Sequence, residues 1–220
     1  MKEEGPLELV VAGETLVLLP ERAAFWPRHD ALLVADPHFG KAATFRASGI
    51  PVPSGTTDEA LKRLTSAVSR SNADRVIFLG DLLHAKQGRS QGMFDALAAW
   101  KSFHRDIDLI LVRGNHDRHA GDPPGELRIE CVDSPFRMDP FVLAHHPVAS
   151  DDGYVLAGHV HPCVRLYGAG RQSVRLPCFA FGEQVGIFPA FGDFTGFANT
   201  DPDPSSKVYA IADGSVVAVQ

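Results

Sequence analysis

The stretch IDLILVRGNHD (107–117) decides how this chain is read. Its first half is an apolar run the length of a buried strand. Its second half stops that run with Gly114, Asn115, His116 and Asp117. Gly and Asn are common turn formers, so a turn is the plain reading. An amide and an imidazole at a strand end also suit chemistry. What stands at the ends of the other apolar runs separates the two.

Four of them end in the same way. ALLVA (31–35) leads into Asp36-Pro37-His38, and RVIFLG (75–80) into Asp81, with His84 one turn later. FVLA (141–144) leads into His145-His146, and YVLAG (154–158) into His159-Val160-His161. Leu61, Leu64 and Val68 recur at helical intervals and predict a helix over about 57–71, with Thr56 and Glu59 at capping-box spacing. Phe94, Leu97 and Lys101, with Ala98 on the same face, predict a second helix from Gln91 to about Phe103. The order strand–helix–strand–helix–strand implies a mostly parallel sheet with covering helices. LELVV (7–11) and ETLVLL (14–19) add strands before it. From 127 onward the runs LRIECV, FVLAH, YVLAG, SVRLPCFAF, KVYAIA and SVVAVQ are all strand-like. A second sheet packed on the first, a layered α/β sandwich, accounts for them. Residues 39–55 and 182–205, rich in Gly and Pro, read as loops, and 1–220 reads as one domain.

Composition narrows the classes. With 45% hydrophobic and 22% charged residues the chain is globular, not disordered. Its apolar runs are too short to span a bilayer, and MKEEGPLELV lacks the apolar core of a secretory signal. A net charge of −6 argues against a generic nucleic-acid-coating protein. Three scattered cysteines, Cys131, Cys163 and Cys178, argue against a disulfide framework and for a reducing, cytoplasmic setting.

In open α/β sheets, ligands bind outside the carboxyl ends of the strands. With His84, His116 and His146 set aside, the groups converging there are Asp36, His38, Asp81, Asn115, His145, His159 and His161. That is too many donors for one tetrahedral zinc, and none is a thiolate. Mixed imidazole and carboxylate donors suit manganese, iron or zinc. Two divalent ions roughly 3.5–4 Å apart, with a bridging hydroxide set for in-line attack, would make a hydrolase of phosphate esters.

The ordered set Asp-X-His, Gly-Asp, Gly-Asn-His-Asp, His and Gly-His-X-His resembles the calcineurin-like metallophosphoesterases over residues 31 to about 165. The resemblance implies an αββα sandwich of two mixed sheets flanked by helices, the metallo-dependent phosphatase fold. It implies that Asp36, His38 and His161 bind one metal ion, that Asn115, His145 and His159 bind the other, and that Asp81 bridges them. His145 is preferred to His146 because the family places a ligand histidine two residues before a proline. His116 would contact the phosphate and protonate the leaving oxygen, and Asp117 would support the turn. His84 stands where protein phosphatases carry an aspartate and resembles the nuclease subunit of the double-strand-break repair complex. That implies a catalytic role for His84; a solvent-facing loop histidine is the alternative.

The stretches ADPHFGKAATFRASGIPVPSGTT (35–57), HHPVASDDGYVLAGHVHP and RLPCFAFG resemble one branch of the family, the bacterial ligase-associated DNA-damage-response phosphoesterases. Pro37 stands where that branch commonly has leucine. The branch implies a DNA endonuclease with an ATP-dependent DNA ligase and a helicase as associates. Lys41, Arg46 and Arg113, with Lys86, Arg89 and Arg118, follow ligand-bearing strands and could form a cationic rim for a phosphodiester backbone, or be ordinary solvated charges. Phe39 and Phe45 could stack on bases or anchor the loop. A hydrolase of cyclic nucleotides or nucleotide monoesters is the alternative function. A non-catalytic binding module should have lost ligands, and none is missing. Short gaps between motifs leave no room for a cap, which favours an open site and a polymer; the acidic balance weighs against it.

Overall fold

Strand-forming runs pair in chain order through the first half. β1 (Leu7–Val11), β2 (Glu14–Leu19), β3 (Ala23–Trp26) and β4 (Ala31–Val34) form an antiparallel meander. The chain then crosses over through helices, and β4, β5 (Arg75–Phe78), β6 (Asp108–Val112) and β7 (Ile129–Val132) pair in parallel. The crossovers carry α1 (Lys41–Ala47), α2 (Thr56–Ser71), α3 (Gln91–Phe103) and α4 (Asn115–Ala120). This computed structural model describes residues 5–52, 55–168, 172–193, 196 and 205–219.

Alternation along the strands splits the apolar residues between two faces. Leu32, Val34, Val76, Phe78, Leu109 and Leu111 face α2 and α3, against Leu61, Leu64, Val68, Met93, Leu97 and Trp100. Leu33, Ile77 and Ile110 face the second sheet, against Phe141, Leu143, Leu156, Phe179 and Phe188. That sheet comprises β8 (Phe136–Met138), β9 (Phe141–Leu143), β10 (Tyr154–Ala157), β11 (Cys163–Tyr167), β12 (Ser173–Phe181), β13 (Val185–Ile187), β14 (Lys207–Ala212) and β15 (Ser215–Ala218). Its order is β15-β14-β12-β13-β10-β9-β8, with β11 paired to β12. β10 runs parallel to β9 and β13 and the remaining pairs are antiparallel, so both sheets are mixed. The αβ half of the expected sandwich is therefore covered by α2 and α3, while no helix lies on the second sheet's outer face among the described residues.

Several local expectations change. The span 39–55 is not all loop, because Lys41–Ala47, rich in helix-forming Ala, Lys and Arg, folds as α1. α2 begins at Thr56 itself, behind a left-handed Gly55 and with no side-chain cap, so the Thr56–Glu59 capping box does not form. The buried face of α3 is Met93, Leu97 and Trp100; Lys101 instead donates to the carbonyls of His104, Arg105 and Ile107. Within 182–205, Val185–Ile187 is a strand, and part of that span lies outside the described residues. The GNHD turn opens into the short helix α4.

Phe179 is fully buried where the two sheets meet. Phe179→Ala should cost about 3–5 kcal/mol in a denaturant melt. A loss below about 1 kcal/mol would mean that the sheets do not share their core there.

Candidate metal centre

Register brings the strand ends together. Val34 pairs with Phe78, and Phe78 with Leu111, so three parallel strands finish at one level. Asp36, Asp81 and Asn115 lie just beyond these ends. On the second sheet Leu143 pairs with Leu156, and His145, His159 and His161 follow those strands. Backbone bonds tie neighbouring loops: His38 N–H donates to Asp81 O at 2.9 Å, and Gly158 N–H to His145 O at 3.2 Å.

The backbone is bent to aim these side chains. Asp36, His38, Asp81, His159 and His161 all have left-handed φ, at 51°, 47°, 51°, 69° and 51°. Residues with a β-carbon rarely adopt it, at a cost of roughly 1–2 kcal/mol each. Such strain clusters where surrounding structure over-determines a site. Glycines permit the close approach of these loops. A β-carbon on Gly114 would strike Asp81, and one on Gly158 would strike Asp36 and Ala35.

Two sets of donors meet at one carboxylate. His161 Nε2 lies 3.4 Å from His38 Nε2 and 3.7 Å from Asp36 Oδ2. His145 Nε2 lies 2.8 Å from Asn115 Oδ1 and 3.0 Å from His159 Nδ1. Asp81 Oδ2 stands between the sets, 3.8 Å from His38 Nε2 and 3.4 Å from His145 Nε2. His145 Nδ1 faces the Leu79 carbonyl at 3.2 Å. A carbonyl only accepts, so Nδ1 carries the proton and Nε2 turns a lone pair to the cluster.

This donor set fits divalent cations. Asp36 Oδ1 is buried without a hydrogen-bond partner. Burial, and then the neighbouring Asp81 carboxylate, raise the Asp36 pKa well above the usual carboxylate range. Burial raises Asp81 to about 6 and lowers His145 to about 3. Burial also lowers His38 well below the usual imidazole value, and lowers His159. Neutral imidazoles are the ligating form, and two carboxylates sharing a buried site call for compensating positive charge. Imidazole and carboxylate donors together suit transition-metal ions, and acids alone would suit calcium or magnesium.

The remaining candidates border the cluster. His116 Nδ1 donates to His84 O at 2.6 Å, and the two rings stack with centroids 4.8 Å apart. His116 Nε2 lies 3.9 Å from Asp81 Oδ2, and its backbone N–H donates to Asp81 Oδ1 at 2.9 Å. His84 Nδ1 is 3.5 Å from His38 Nδ1, and burial lowers its pKa to about 4. His146 is exposed and packs its ring on His159 at 4.2 Å. Lys41, half-buried, has its pKa lowered by burial and drawn back up by Asp36 and Asp81. Arg46 donates to Val52 O. Arg113 is engaged elsewhere: its guanidinium is held by Asp122 at 2.8 Å and Asp133 at 3.3 Å. Arg89 binds the carbonyls of Ala120, Gly121 and Asp122, which close α4. Phe39 is buried in the core and Phe45 packs on His84, so both anchor the loop.

Some contributors have no signal in the sequence. Leu79 and His84 act through carbonyls, and Ser134 Oγ accepts from His145 N–H at 3.2 Å. Asp117, fully buried, accepts from Leu83 N–H at 3.0 Å and Gly114 N–H at 2.9 Å, joining the loops that carry Asp81 and Asn115. Asp117→Asn presents a donor to one of these two donors, leaving a buried N–H unpaired. We expect a loss of about 1–3 kcal/mol in stability. It should come with weaker divalent-cation uptake in titration calorimetry; unchanged stability and uptake would remove Asp117 from this role.

The calcineurin-like phosphoesterase family model matches residues 30–177. No curated protein matches this chain. Among solved structures, the nuclease MPE of Pseudomonas putida is 40% identical, covers 97% of this chain and 100% of its own, and has a TM-score of 0.85. The protein of unknown function AQ665 from Aquifex aeolicus is 16% identical, with a TM-score of 0.41 and coverage of 60% of this chain and 79% of its own. The phosphoesterase Yfce from E. coli is 15% identical, with a TM-score of 0.42 and coverage of 86% and 97%. Two mixed sheets meeting at an Asp/His cluster, together with the family match, carry one conclusion: this chain belongs to the calcineurin-like phosphoesterases, metal-dependent hydrolases of phosphate esters.

Proposed function

We propose that the chain is a dinuclear phosphodiesterase that cleaves nucleic acid, with DNA as its substrate, from one centre in a single domain. The observation that carries this reading is 40% identity, over 97% of the chain, to a protein described as a nuclease. Asp36, His38 and His161 would hold one ion, Asn115, His145 and His159 the other, and Asp81 both. Manganese suits this donor set, with iron or zinc as alternatives. When bound, the ions would supply Lewis-acid polarisation of the phosphoryl group.

The chain's own residues do the remaining work. His116, tethered through Nδ1 to His84 O, keeps Nε2 free, and its side chain is 38% exposed. Protonated Nε2 delivers its proton to the leaving oxygen. The stacked His84 ring holds that orientation. Lys41 places a cation beside the carboxylates for the phosphate, and Arg46, further along α1 on another face of the helix, would meet the strand away from the centre. Arg113, already held by two carboxylates, has no part in this assignment. Three free cysteines suit a reducing cytoplasm. Among the described residues no helix is long and apolar enough to cross a membrane. Association with a DNA ligase and a helicase rests on the resemblance of the 35–57 stretch and the two later segments to that branch of the family.

The test is a substrate panel of single-stranded DNA, duplex, RNA, cyclic nucleotides and simple monoesters. Chelation should abolish hydrolysis and manganese should restore it; turnover by the fully demetallated protein would sink the mechanism. His116→Ala should lower turnover by about 10²–10⁴-fold with both ions still bound by elemental analysis. Loss of an ion in that variant would make His116 a ligand. Hydrolysis confined to cyclic nucleotides or monoesters would replace the nuclease with a small-substrate enzyme.

A further inference from the structure

β11 begins two residues after His161, and it pairs with Ser173–Pro177 of β12 before β12 joins β13 and β14 from Cys178 onward. This stretch is therefore a two-stranded ribbon running out from the second sheet. Its register sets Arg165 opposite Arg175 and Tyr167 opposite Ser173, all on one face. Val164, Leu166, Val174 and Leu176 take the other face.

The pairing of two arginines is what needs a cause. Like charges directly opposite one another on a ribbon repel. Arg70, Arg113 and Arg137 each have a carboxylate partner, but Arg165 and Arg175 form no ion pair among the described residues. In a chain of net charge −6 this is a local concentration of uncompensated positive charge. A phosphate between the two guanidinium groups would turn their repulsion into charge-assisted hydrogen bonds. Beside them Tyr167 is 78% exposed, presenting a ring on which an unpaired base can stack. Arg165 lies four residues past His161, so extended chain keeps it within roughly 14 Å of that loop.

We propose that the β11–β12 ribbon is a docking arm for a single nucleic-acid strand, with Arg165 and Arg175 gripping a phosphate and Tyr167 stacking on a base beyond the cleaved bond. This rests on the nuclease reading above. An acidic protein would also suit the arginines, but the aromatic ring beside them and the phosphodiester chemistry at the foot of the ribbon favour a strand.

The experiment compares wild type, Arg165→Ala/Arg175→Ala and Tyr167→Ala with manganese, on a single-stranded oligonucleotide and on bis(p-nitrophenyl) phosphate. The small diester is too short to reach the arm and reads the metal centre alone. For the double variant, KM on the oligonucleotide should rise about tenfold and kcat should hold. The dependence of log affinity on log salt should flatten by about 0.7, for the one phosphate charge no longer neutralised. Tyr167→Ala should raise KM without changing the salt slope. Hydrolysis of the small diester should be unchanged in both. Unchanged KM on the oligonucleotide would overturn the arm while leaving the nuclease reading intact. An equal fall on both substrates would also overturn it, since the ribbon would then be supporting the His161 loop. Wild type that hydrolyses the small diester but cleaves no polynucleotide would defeat the nuclease reading itself, and the arm with it.

Discussion

Everything at the centre depends on the parallel register of β4, β5 and β6. Because Val34, Phe78 and Leu111 stand side by side, the residues that follow them emerge at one level of the sheet. A one-residue slip would turn every side chain of the slipped strand to the opposite face. Here that would move apolar groups out of the inter-sheet core and carry a polar donor away from Asp81. The same burial that holds the register thus positions the polar residues at its end.

Those polar residues then face a cost that packing alone cannot meet. Asp36 and Asp81 are carboxylates at the end of an apolar core, and burial pushes both toward the neutral form. The imidazoles around them are held neutral for the same reason. A cluster of this kind disfavours its own charges, and small divalent cations relieve it best. Shared amides reinforce the arrangement. His159 N–H donates to Asp36 Oδ2 at 2.7 Å and His116 N–H to Asp81 Oδ1 at 2.9 Å, so each carboxylate keeps one oxygen fixed by backbone.

Much of this is legible in the sequence for one reason. Apolar runs that end in Asp, Asn or His break the ordinary pattern of strand followed by turn, so Asp36, Asp81, Asn115, His145 and His159 stand out without any knowledge of the fold. Helices with long apolar faces, α2 and α3, are legible from their periodicity. Short elements are not. α1 spans seven residues between Gly- and Pro-rich flanks, and β13 spans three in a stretch dominated by the same residues. Neither is long enough for a period to show. Backbone contributions are invisible as well, because the carbonyls of Leu79 and His84 could belong to any side chain. Arg113 looks like part of a cationic rim from its place in the chain, yet Asp122 and Asp133, which belong to no motif, take up its guanidinium.

The donors come from both sheets and from distant parts of the chain. His38 and His161, which would share one ion, are 123 positions apart. Ions gripping both ends would close a chain loop of that length, in the way a cross-link does. Closing loops of about 100 residues removes on the order of 4.7 kcal/mol of conformational entropy from an unfolded chain in the simple polymer estimate, and strain in the closed state reduces the gain. By this account bound ions would also be staples between the two sheets. The unfolded chain, which cannot bring both ends to one ion without that entropic loss, would hold them far more weakly than the folded one.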